Sequence, residues 1–133
     1  MRWKMSKRKR LEKLRARPAI GFDEWKTNNL DVSTLIGDVD IAWEFLKVVA
    51  KDLRVEPTQI DGGDKFRRDL FPGSICDYFD QPYWIDIGEE LTDVLRPKLP
   101  VVDWSSVNIE LDTTVRDIIT QMVSVAQTYD VKF

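Results

Sequence analysis

Ala42, Phe45, Leu46, Val49 and Leu53 recur at intervals of three and four, which predicts an amphipathic helix over residues 38–53. Asp38 is placed to cap its first turn, and Glu44 and Lys47 fall on the opposite side. Ile41, Trp43 and Val48 widen the apolar surface beyond one stripe, so this helix is expected to be covered on two sides. A second strong period runs through Val115, Ile118, Ile119, Met122, Ala126 and Tyr129, and the spacing of Thr114 and Asp117 suits a reciprocal capping box at its start. Ile87, Leu91, Val94 and Leu95 predict a further helix near 85–96, which Pro97 and Pro100 end. Residues 101–111 then read as loop or short extended segment around Trp104.

The connecting segments are marked by turn residues. Pro57 and Asp61-Gly62-Gly63-Asp64 make 54–64 a loop, after which Phe66 and Leu70, four apart, predict one or two helical turns anchored to the core. Pro72 and Gly73 break the chain before Ser74, whose simplest role is to cap the next helix. The aromatic-rich stretch that follows is interrupted by Pro82 and divides into a short turn near 75–80 and the helix after it. Residues 19–37 mix apolar anchors (Phe22, Trp25, Leu30, Leu35, Ile36) with turn formers such as Asn28-Asn29, and read as an ordered strap across the domain, with Trp25 in the core.

Charge is segregated along the chain. Nine lysines and arginines against Glu12 give residues 1–18 a formal charge of +8, and since the whole chain carries -3, the remainder carries -11. Residues 1–18 are expected as a basic, flexible arm, 19–37 as the strap, and 38–129 as the helical domain. The arm could remain solvated or dock on the acidic body; residues 2–17 also leave attachment to nucleic acid or an anionic membrane as a lesser option. From 69 through 95 there is no Lys or Arg, while Asp69, Asp77, Asp80, Asp86, Glu89, Glu90 and Asp93 give an acidic surface of the kind that steers basic protein partners.

The 133 residues suit one domain. No apolar run is long enough for a membrane-spanning helix, the start lacks the apolar core of a secretory signal, and Cys76 has no partner for an internal disulfide, so a cytoplasmic protein is expected. The absence of histidine removes Ser-His-Asp and Cys-His nucleophilic sites and imidazole-dependent metal sites. The carboxylates show no spacing that singles out a metal cage or an acid/base pair, and Gly62-Gly63 lacks the rest of any phosphate-loop fingerprint. A non-catalytic protein without a metal is expected.

Residues 54–74, RVEPTQIDGGDKFRRDLFPGS, carry Val55-Glu56-Pro57, Ile60, Lys65-Phe66 and Asp69-Leu70, with Ser74 four residues beyond Leu70. In this register the segment resembles the phosphopantetheine attachment loop of acyl carrier proteins. Thr113-Thr114-Val115 resembles the opening of that family's last helix, so the likeness spans about residues 38–127. It implies an all-α, acyl-carrier-like small helical bundle with a basic N-terminal extension. It further implies Ser74 as the phosphopantetheine attachment residue, and Asp69, Asp77, Asp80, Glu89, Glu90 and Asp93 as the acidic surface met by acyl-handling or modifying enzymes. Gly73 stands where the family usually has aspartate, and the interval from Ser74 to Thr113 is longer than usual. These departures leave open an alternative, a degenerate carrier fold acting as a protein-interaction or adaptor module without cofactor.

Overall fold

The computed structural model describes residues 7–31, 33–36, 39–70, 89–90, 92–93 and 104–130. Among them the chain is mostly helical: α1 (Lys7–Ala16), α2 (Phe22–Asn29), α3 (Ile41–Leu53) and α4 (Val115–Asp130). The exception is a minimal antiparallel ladder of two residues each, β1 (Leu35–Ile36) and β2 (Val39–Asp40), with Leu35 opposite Asp40. No described helix is long and apolar enough to cross a membrane.

Helix α3 is the central element. Ile41, Ala42, Phe45, Leu46, Val48, Val49, Ala50 and Leu53 are all buried, far more than one stripe, which matches the double covering expected from its sequence. It packs on α4 and on the short 3-10 turn Pro57–Gln59. Helix α4 offers Val115, Ile118, Ile119, Met122 and Ala126 at full burial, and it also touches β1 and the 3-10 turn Trp104–Ser106. Trp104 is buried there, in a turn instead of the loop or extended segment the sequence suggested.

The start of α3 differs from expectation. Its cap is Asp40, whose Oδ1 accepts from the amides of Ala42 and Trp43, because Val39 and Asp40 are held in the ladder with β1 and the helix begins only at Ile41. Thr34 Oγ1 donates to the same carboxylate, and Lys26 Nζ of α2 pairs with it at 2.9 Å. One aspartate thus fixes the hairpin, α2 and α3 together. At the start of α4 the expected capping box is present: Asp117 N donates to Thr114 Oγ1 at 3.1 Å and Thr114 N to Asp117 Oδ2 at 3.3 Å.

Residues 22–29 form a regular helix where a strap with an Asn28-Asn29 turn was expected. Trp25 is the core anchor, 1 % exposed, its Nε1 donating to Ile60 O at 2.6 Å. Asn29, the last residue of α2, is itself buried. Leu35, expected as an anchor, is instead 52 % exposed on the edge of the hairpin.

The basic N-terminal stretch was expected as a flexible arm. Residues 7–16 are placed as helix α1, with Leu14 in the core and Leu11 packed against it. Six basic residues in one short helix repel one another, so the tertiary anchor is what holds this segment. Just beyond the helix, the Arg17 guanidinium meets Asp64 through two parallel hydrogen bonds, Nη1 to Oδ2 at 2.7 Å and Nη2 to Oδ1 at 3.0 Å. The bond to Asp64 holds the Arg17 pKa above its ordinary value against the opposing effect of burial, so the cation persists at every pH of interest.

This geometry makes the two ends of the ion pair unequal. Asp64 is buried and accepts a further bond from Asp61 N, whereas the Arg17 side chain is 37 % exposed. Asp64→Ala strands the Asp61 amide and leaves the guanidinium only its bond to Gln59 O, and should cost about 2 kcal/mol; Arg17→Ala leaves Asp64 one amide donor and, discounted for solvent screening, should cost about 1 kcal/mol. Urea unfolding midpoints of the two variants check the order.

Candidate functional site

The segment from Arg54 to Leu70 leads to Ser74, and its local structure follows from its residues. Helix α3 ends on Arg54 in the left-handed conformation (φ 60°), with Arg54 N bonded to Lys51 O and Val55 N reaching back to Ala50 O at 3.0 Å. That is the closed helix end usually made with glycine. Glu56 and Gln59 then form a reciprocal capping box around Pro57, which occupies the position where a missing amide costs nothing. Gln59 Nε2 also donates to the carbonyls of Arg15 and Arg17, and Arg17 Nη1 donates to Gln59 O, tying the end of α1 to the loop.

Ile60 is fully buried and Asp61-Gly62-Gly63-Asp64 makes the turn. Gly62 is the point of closest approach. Its amide donates to Asn29 Oδ1 at 2.8 Å and its carbonyl accepts from Arg116 N at 2.9 Å, so α2 and α4 meet on its peptide groups. Arg116 Nε in turn donates to Asn29 O, and Asn29 Nδ2 to Trp25 O. The next residues join the start of α4 directly: Val115 N donates to Asp64 O, Phe66 N donates to Thr113 O, and Lys65 forms an antiparallel bridge with Thr114.

Residues Phe66–Leu70 make one wide turn of π-helix, in place of the one or two ordinary turns the four-residue spacing suggested. Phe66 and Leu70 are buried on its inner side, and Phe66 lies against Phe45 with ring centroids 6.2 Å apart. On the outer side Arg68 Nε binds Asp112 Oδ1 at 2.7 Å and Lys65 Nζ approaches it at 4.0 Å, both in solvent. Asp69 is exposed, and its Oδ2 accepts from Lys65 N at 2.8 Å, closing the turn on itself.

Ser74, Asp77 and Asp80 lie outside the described residues, as do Asp86, Cys76 and the aromatic stretch around Pro82. Residues 89–90 and 92–93 have helical backbone, within the helix expected near 85–96. Glu89 and Asp93 are exposed, and Glu90 forms an ion pair with Lys51 of α3 at 2.9 Å, which raises the lysine pKa by the hydrogen bond first and the charge second. Glu89, Glu90 and Asp93 are therefore on helical backbone, with Glu90 tied to α3 through Lys51, while Asp69 belongs to the turn on the other side of Ser74 in the chain. Trp104 Nε1 donates to Thr92 Oγ1 at 3.1 Å and ties that stretch to the turn before α4.

Among the described residues no group of three His, Cys, Asp or Glu could hold a metal ion. Sequence reasoning missed Asn29, Arg17 and Asp64 as the residues that hold the loop. Asn29 had been read as a turn former, and the Arg17–Asp64 pair joins positions that no local pattern connects.

The glycine pair gives a direct test of how tightly the loop is held. A Cβ on Gly62 would lie 2.8 Å from Asn29 Oδ1, whereas nothing lies within 4 Å of one on Gly63. Gly62→Ala should destabilise by about 1–3 kcal/mol through this clash. Gly63→Ala should be neutral or stabilising by up to about 1 kcal/mol, since it only restricts the unfolded chain. Thermal unfolding of the two variants provides the comparison.

The chain has no match among protein-family models, among curated proteins or among solved structures.

Proposed function

We propose that this protein is a non-catalytic, acyl-carrier-like module that presents Ser74 for phosphopantetheine attachment and an acidic surface to partner enzymes. The observation that carries the reading is the meeting of two of the segments on which the sequence resemblance rests. Lys65-Phe66, ahead of Asp69-Leu70 and Ser74, is bonded to Thr113-Thr114 at the start of α4 by the Phe66 N to Thr113 O bond of 2.9 Å and the Lys65–Thr114 bridge. Segments almost fifty residues apart in the chain, matched independently to one family's pattern, are therefore neighbours in space.

The physical logic of a carrier suits this segment. A tethered cargo needs an attachment point that partner enzymes reach and an anchor that keeps it in place. Leu70, four residues before Ser74, is 3 % exposed and supplies such an anchor. The serine hydroxyl would become one ester oxygen of a phosphodiester, and an anion of that kind is favoured where helix amides point outward. Glu89 and Asp93, exposed on the stretch that follows, offer negative charge to a basic enzyme surface.

The adaptor alternative draws on Gly73, which replaces the acidic residue usual before the attachment serine. The two readings part on one experiment. Coexpression with a broad-specificity phosphopantetheinyl transferase, followed by intact mass measurement, should add one phosphopantetheine to the wild type and none to Ser74→Ala. An unmodified wild type beside a control carrier modified in the same cells overturns the carrier reading in favour of the adaptor.

A further inference from the structure

We propose that the Asp61–Gly62 step is a latent isoaspartate site, kept closed in the folded protein by the Asn29 carboxamide. The backbone amide nitrogen that follows an aspartate can attack the protonated side-chain carboxyl. An N–Cγ bond forms, the amide proton and the carboxyl hydroxyl leave as water, and a five-membered succinimide results. Water then opens the ring at one of its two carbonyls, giving back aspartate or giving isoaspartate, whose main chain runs through Cβ and Cγ and is one methylene longer. The net change is an isomerisation and needs no other reagent. Attack is easiest where the next residue has no side chain in the way, and Asp61-Gly62 is the one Asp-Gly step in the chain, which has no Asn-Gly.

The fold supplies both the vulnerability and its cover. Glycine is required at 62 because a Cβ there would lie 2.8 Å from Asn29 Oδ1, so the packing that fixes the loop also leaves the amide nitrogen sterically open to Asp61. Asp61 is exposed to solvent, which supplies the proton its carboxyl needs and the water for hydrolysis, while Gly62 is buried. The peptide group that would enter the ring is held at both ends: Gly62 N donates to Asn29 Oδ1 at 2.8 Å, and Asp61 O accepts from Asp64 N at 3.1 Å. The neighbouring peptide groups are held as well, since Asp61 N donates to Asp64 Oδ2 and Gly62 O accepts from Arg116 N. To attack, Gly62 N must give up its proton and turn toward Asp61 Cγ. In the folded loop that proton is bound by a neutral carboxamide oxygen, which would then face a buried nitrogen anion with no donor to offer it. Attack therefore waits for an opening that parts Gly62 from Asn29. Once isomerisation occurs, the main chain is longer at the residue where α2 and α4 meet, and the loop no longer closes in the same register.

The test uses the full chain, incubated at mildly acidic pH both folded and in denaturing urea, with isoaspartate counted by a protein-isoaspartate methyltransferase and located by peptide mapping. Unfolded wild type should gain isoaspartate at Asp61, and unfolded Asp61→Glu, which cannot close a five-membered ring, should gain none there. Folded wild type should gain it at least about tenfold more slowly, the factor set by an opening that leaves one buried amide without its partner. That suppression should equal the hydrogen-exchange protection of the Gly62 amide in the same buffer, because both processes need the bond to Asn29 to break. Asn29→Ala, verified as folded by circular dichroism, should isomerise at least about tenfold faster than the folded wild type. Should that variant not fold, the wild-type comparison of isomerisation with exchange decides. The proposal is overturned by absence of isoaspartate at Asp61 in urea, by equal rates in folded and unfolded wild type, by a suppression that does not follow the Gly62 protection, or by a folded Asn29→Ala no faster than the wild type.

Discussion

The interaction on which the rest of the structure depends is the clamping of the loop 56–66 by polar groups from three helices. This loop has one fully buried apolar side chain, Ile60, before Phe66. It nevertheless runs through the centre of the described fold, where an unpaired peptide group would cost a lost hydrogen bond. Its peptide groups are accounted for in turn. Trp25 takes the carbonyl of Ile60, Asn29 the amide of Gly62, Arg116 N the carbonyl of Gly62, and Val115 N the carbonyl of Asp64. The Asp64 side chain holds the turn together from within through Asp61 N and reaches out to Arg17. Removing any one of α1, α2 or the start of α4 would leave buried loop atoms without partners, so the four segments are interdependent.

Such an arrangement explains which parts of the fold could be read from sequence. Helices α3 and α4 were legible because burial on a helix face leaves a period of three and four, and because the Thr114–Asp117 box is a local signal. Helix α2 was not. FDEWKTNN has two large apolar residues, Phe22 and Trp25, too few to establish a period, and its helical state depends on Trp25 and Asn29 finding Ile60 and Gly62 more than thirty residues away. The start of α3 was misread by two residues, Asp38 for Asp40, because the ladder with Leu35–Ile36 consumes the residues that would otherwise have opened the helix. Neither signal is local, and hydrophobic periodicity cannot report a hydrogen bond.

The N-terminal stretch shows the same limit in electrostatic form. Read alone, a run of like charges with two leucines lacks the apolar surface to order itself. What orders residues 7–17 is a bidentate arginine–carboxylate pair whose partner is 47 positions away, together with Gln59, whose Nε2 donates to the Arg15 and Arg17 carbonyls and whose backbone carbonyl accepts from Arg17 Nη1. Charge segregation along the sequence was legible and left docking on the acidic body open as one option; which acid the arm would meet, Asp64, was not legible. The basic residues are divided between those that lock the helix down, Arg17 above all, and those left facing solvent, such as Lys13.

For the candidate site, the sequence offered a resemblance, and the support of the loop was hidden from it. The resemblance rests on positions 55–70 and the spacing to Ser74, and nothing in it revealed that the loop is held by Arg17 and Asn29 from ahead of the matched region. A carrier reading places the demand for rigidity upstream of the attachment residue, since motion there would spread the tethered group over a larger volume and lower its effective concentration at a partner's active site. The bonds that fix Gly62, Asp64 and Phe66, and the burial of Leu70, meet that demand as far as the last described residue before Ser74. The same bonds hold α1, α2 and the start of α4 together, so an adaptor built on this fold requires them as well. The rigidity of the approach is thus first a requirement of the fold, and only secondly a property that a carrier would exploit.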